Sequence, residues 1–214
     1  MASAKMLFAV VLLSSAAFAQ SVNLPGPISV QALSSSGSSF SYSGTLTQAA
    51  TIALTAGGAS CEQAGGVYCT NASGVVVIAG SSAVGAATSF TGIVGGFSGT
   101  WNYGALIMTI SGVGSVQVFP ANAANGLGSA TPPGTLSKAS TSLSALGFSN
   151  FSVVNPTITF TTADNNYGDN SGGFTITQTG ASTTPAPSTL VLLLIGLAAV
   201  AIAMRVMPRF RSTN

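Results

Sequence analysis

The sequence predicts an all-β protein: an antiparallel β-sandwich or jelly roll, flanked by an N-terminal signal peptide and a C-terminal transmembrane helix. Three observations predict it. Short runs rich in Val, Ile, Phe and Thr recur through the middle of the chain, each bounded by Gly, Ser, Asn or Pro. No long segment of 3.6-residue periodicity separates them. Each end of the chain is an apolar run with a basic flank.

Composition narrows the functions. Only 4% of the 214 residues are charged, against ~25% in an average soluble protein. Between Gln20 and Thr184 the charges are Lys138, Glu62, Asp164 and Asp169, a net −2, so the pI of 8.7 reports the ends of the chain. Phosphate recognition needs clustered Lys and Arg, and the middle has no such cluster; nucleic acid is not an expected partner. The chain has no His. That removes the usual general base, the His-dependent nucleophile arrangements and imidazole metal ligands. Enzymatic activity is not expected either. A paired-carboxylate glycosidase sets two acids across a cleft, whereas Asp164 and Asp169 share one short loop. Alternating β-branched and aromatic residues argue for order in the middle despite its Ser, Thr and Gly content.

In chain order, residues 1–19 carry the parts of an export signal. Lys5 is the positive start, Met6–Leu13 the apolar run, and Ala17-Phe18-Ala19 the small-x-small site, with cleavage between Ala19 and Gln20. The β domain spans 20–182, a length that suits one domain. Its first stretch, 21–38, is Ser/Gly/Pro-rich and reads as loop or edge strand. Strands are expected at 39–43, 50–54, 74–78, 89–94, 106–110, 115–119, 157–161 and 173–177. Cys61 and Cys69 are expected to close a local disulfide after export, because their spacing is not C-x-x-C and no further Cys or His completes a metal site. Trp101 and Tyr103 admit two readings, a stacking platform for a sugar or core packing.

Residues 163–174, ADNNYGDNSGGF, gather two of the middle's three acids and three asparagines on one Gly-containing stretch. Asp carboxylates with Asn and backbone carbonyls are the hard oxygen ligands that hold Ca²⁺. The alternative is a plain strand-connecting turn, which the same residues favour. An EF-hand is excluded, since no closing Glu and no flanking helix are present.

The tail, 183–214, divides into a Pro motif at 185–187, an apolar helix at 188–204 and a basic end at 205–214. Leu190–Met204 holds 15 residues without a polar side chain, about 22 Å as a helix, short of the ~20 residues a span usually takes. Arg205, Arg209 and Arg211 favour a cytoplasmic C-terminus.

Pro185-Ala186-Pro187-Ser188, the Gly196-containing apolar run and the terminal arginines together resemble the PEP-CTERM sorting signal of bacterial exosortase substrates. Ala186 stands where that family usually has Glu. The resemblance implies the export machinery and a sorting protease or transpeptidase as partners. A plain, uncut membrane anchor is the alternative. Tyr167-Gly168-Asp169-Asn170-Ser171-Gly172-Gly173-Phe174 resembles a loop of the calcium-dependent, galactose-binding jelly-roll lectins. That resemblance implies Ca²⁺ held by Asp164, Asn166, Asp169 and Asn170, with sugar hydroxyls on the ion. The function expected is an exported cell-surface or matrix protein, membrane-anchored through its tail, that binds extracellular polysaccharide weakly through calcium. The alternative is a structural or adhesive envelope protein with no small ligand.

Overall fold

The computed structural model describes residues 20–62, 68–77, 89–120 and 135–179. Strands make up 56% of them, all major pairings are antiparallel, and the protein is all-β. Among the described residues no helix is long and apolar enough to cross a membrane. The predicted signal peptide with Ala19, and the tail with Pro185, Ala186, Pro187 and Ser188, lie outside the described residues.

The strands are β1 (Ile28–Gln31), β2 (Ser38–Ser41), β3 (Thr45–Thr47), β4 (Thr51–Glu62), β5 (Tyr68–Thr70), β6 (Val76–Val77), β7 (Ser89–Val94), β8 (Phe97–Asn102), β9 (Leu106–Ile110), β10 (Gly114–Gln117), β11 (Leu136–Ser142), β12 (Ser152–Val154), β13 (Thr157–Thr162) and β14 (Ser171–Gln178). One short helix, α1 (Leu143–Leu146), follows β11 and is capped by the Ser142 hydroxyl, which accepts the Ala145 N–H at 3.2 Å. A six-stranded sheet runs β1-β14-β4-β5-β6, with β11 on the same edge of β4 as β5. A four-stranded sheet runs β10-β9-β13-β2. Two two-stranded sheets, the long-range pair β3–β12 and the β7–β8 hairpin, complete the set.

The period of two decides where the core lies. Val30, Ile52, Leu54, Phe174 and Ile176 of the larger sheet join Leu106, Met108, Ile110, Ile158 and Phe160 of the smaller one in a single buried cluster. Each such side chain removed from water contributes roughly 1.5–3 kcal/mol. A second, smaller cluster forms on the other face of β9, where Ile107 meets Val94, Trp101, Ala105 and Ala163 beneath the β7–β8 hairpin. This explains why every residue of β9 is buried.

Several expected strands match closely: 89–94 is β7 and 106–110 is β9, and the 21–38 stretch contains the edge strand β1. Others differ. β4 extends to Glu62, well past the expected 50–54, because β14 pairs with it continuously from Leu54 to Cys61. Local propensity in Ala-Gly-Gly-Ala is weak for a strand, so the partner strand overrides it.

Candidate functional site

The Asp/Asn loop begins where β13 ends. Asp164 is buried at 4% exposure. Its Oδ1 accepts the backbone N–H of Asn165 at 2.6 Å and of Asn166 at 3.0 Å, and its Oδ2 accepts from Asn170 Nδ2. Three N–H donors thus stand in for water around this buried carboxylate. Asn170 is buried at 5% exposure, and its Nδ2 also donates to the Ala32 carbonyl at 3.2 Å. The loop is thereby tied to the turn after β1.

Of the four predicted ligands, Asp164 and Asn170 are brought together. Asn166 joins them only through its backbone N–H, and its side chain is exposed. Asp169 lies half-buried on a 3₁₀ turn, Tyr167–Asp169, and no hydrogen bond joins it to the pair among the described residues. Calcium takes about six to eight oxygens. Asp164 supplies oxygens of the right type, and so does Asn170 Oδ1, a buried oxygen with no hydrogen-bond partner. These two residues fit a hard cation in kind. The N–H donors already on Asp164 compete with it.

The aromatic pair divides. Trp101 is only 6% exposed, packs in the second cluster and donates Nε1–H to the Gly92 carbonyl at 3.2 Å. Its ring has no free face to stack on a sugar. The physical reason is register: Trp101 pairs with Phe90 across the β7–β8 hairpin and points toward β9. Tyr103, two residues on, is half-buried. Its ring lies 4.5 Å from that of Phe90, and its hydroxyl accepts Asn165 Nδ2–H at 3.0 Å. Gly104 makes this geometry possible. It sits at φ +69°, and a Cβ there would approach Thr70 Oγ1 to 1.8 Å. Its N–H donates to the Ala163 carbonyl at 2.8 Å. The Tyr103 turn and the Asp/Asn loop are therefore sewn side by side at one end of β9 and β13.

Tyr167 reaches back to the end of β13, donating its hydroxyl proton to the Thr162 carbonyl at 3.0 Å. Burial holds this phenol above its ordinary range.

Cys61 and Cys69 form the expected disulfide. They are direct cross-strand partners on β4 and β5 with Cα atoms 3.9 Å apart, so the bond staples a register the sheet already sets. Among the described residues no cysteine is free.

Sequence reasoning missed Phe90 and Asn165 as neighbours of Tyr103, and missed β8 altogether. One signal was available. Gly95-Gly96 separates two runs of alternating residues, which is a hairpin signature. No family model matches the chain, and no curated protein or solved structure matches it.

Proposed function

We propose that this is an exported envelope or matrix protein whose β body, a sandwich of the jelly-roll kind, binds neutral extracellular glycan. Its tail is handled by a sorting protease or transpeptidase, or stays as an anchor. The observation that carries the glycan reading is the half-buried Phe90–Tyr103 ring pair set against the exposed Asn165 amide. An aromatic face beside a planar amide offers a sugar both stacking and directional hydrogen bonds. A core shared by the inward faces of the two larger sheets supports the sandwich architecture. The Cys61–Cys69 disulfide suits an oxidising compartment.

The test is retention of the full chain on immobilised neutral polysaccharide, comparing wild type with Tyr103→Ala. The reading expects clear retention that falls several-fold in the variant, and equal elution from blank and glycan-bearing resin contradicts it. Intact mass of the protein from a membrane or matrix fraction tests the delivery half. A mass lacking residues 1–19 is expected; a full-length mass from the cytosol contradicts export.

A second reading adds calcium, favoured by the partnerless Asn170 Oδ1 next to the Asp164 carboxylate. A bound Ca²⁺ would satisfy that oxygen and offer open positions to sugar hydroxyls. Under it, millimolar calcium raises the melting temperature of wild type but not of Asp164→Asn. Superimposable melts of wild type with calcium and with EDTA remove it.

A further inference from the structure

We propose that the outer face of the four-stranded sheet carries a second, metal-independent subsite, a trough over Thr159 that seats one ring of an uncharged saccharide. The proposal rests on the glycan reading above but uses other residues. The register lays a row of hydroxyl side chains across all four strands: Ser115 opposite Thr109, Thr109 opposite Thr159, and Thr159 opposite Ser39. At ~4.8 Å between strands the row runs about 14 Å.

The β7–β8 hairpin covers one part of this row, and Thr109 and Thr159 form the floor of a hollow of about 350 Å³. That volume lies toward the lower end of small-molecule sites, ~300–1,000 Å³. The hairpin turns on Gly95 and Gly96, both left-handed at φ +61° and +85°, as a two-residue turn of this twist requires. Gly95 sits so close above Thr109 that a Cβ there would come within 2.2 Å of its Oγ1. Around Gly96 a Cβ would meet nothing within 4 Å, so that corner is open. Ser35 and Ser36 also line it, and Tyr167 and Ile93 supply apolar surface.

The floor is primed for hydroxyls. Thr109 is held by Ser115 at 2.7 Å, and Ser115 Oγ reaches the Val94 carbonyl at 3.3 Å. Thr159 Oγ1 has no hydrogen-bond partner among the described residues and is half-buried. A hydroxyl donates once and accepts twice, which is the complement of a sugar hydroxyl. None of the described charged residues lines the hollow. A charged ligand would lose its hydration there without a counter-charge, so the lining selects neutral ones.

The experiment is saturation-transfer NMR on the full chain in a sugar-free detergent, with EDTA present. The probes are maltose, cellobiose and lactose, with glucuronate as the charged counterpart. Transfer to at least one neutral disaccharide is expected, with little to glucuronate. Thr159→Val should weaken it about fivefold, and Gly96→Asn, which keeps the left-handed φ and fills the open corner, should abolish it. Thr159→Val should melt as wild type does, and Gly96→Asn should melt somewhat lower, from the strain of a side chain at φ +85°, yet stay folded at the assay temperature, so that loss is not unfolding. Transfer unchanged in both variants, equal transfer to glucuronate, or transfer that needs calcium or is lost in Tyr103→Ala alone overturns this subsite while the Tyr103 reading stands. No transfer to any neutral disaccharide from any form, with or without calcium, overturns both.

Discussion

The two faces of the four-stranded sheet share a backbone and differ in everything else. On the inner face Met108, Ile110, Ile158 and Phe160 are all buried in the main cluster. On the outer face the residues between them are Thr109, Thr159 and their hydroxyl neighbours, lying under a hairpin at one end and toward solvent at the other. The difference teaches how a chain with 4% charge can be both stable and wettable. Alternation lets one strand spend its even positions on the core and its odd positions on water or a ligand. Hydroxyls give the outer face polarity without charge.

The comparison breaks first at the core. Phe160→Ala should cost ~3–5 kcal/mol through lost burial and the cavity left behind, read as a lower urea midpoint. Thr159→Val, its neighbour in sequence but on the other face, should stay within about 1 kcal/mol of wild type. Equal losses at both positions would contradict the division of faces. Outside this sheet, reducing Cys61–Cys69 opens a loop spanning a sequence separation of 8, and the chain-entropy account sets the loss at roughly 2–3 kcal/mol. Thermal melts with and without dithiothreitol measure it. Asp164→Asn should cost ~1–3 kcal/mol in the absence of calcium, because an amide NH₂ would then face the Asn170 NH₂ where a carboxylate oxygen now accepts.

The smallest effect sharpens the trough. Tyr167 holds its proton more tightly folded than unfolded, mainly because burial disfavours the phenolate. Above pH 10.0, the ordinary value of a tyrosine phenol, the unfolded chain loses that proton first, so stability present below this pH declines as pH rises toward the folded value. Partial exposure keeps the effect small. A melt series across that alkaline range should show a steeper decline for wild type than for Tyr167→Phe; parallel curves would place the phenol in open water.

The β class was legible in the sequence because β-branched runs such as Thr157–Thr162 and Leu106–Ile110 carry their pattern locally. The disulfide was legible because two cysteines leave one pairing. What failed was long-range. β4 from Ala56 to Ser60 is a strand because β14 lies beside it. For Trp101 the sequence leaves a sugar platform and core packing both open, and the β7–β8 register decides for the core. Within the Asp/Asn loop, Asp164 and Asn170 meet because the chain folds back over the Ala32 carbonyl, a partner that has no side-chain signature. The trough was invisible for the same reason: its floor joins residues from strands that are distant in sequence.

Native electrophoresis of the full chain through gels containing a neutral polysaccharide tests the account most directly. With EDTA in the gel, wild type should be retarded relative to a blank gel, with retardation falling in Tyr103→Ala and in Thr159→Val. Mobility that is the same with and without the polysaccharide, for every form and also with calcium restored, would contradict it.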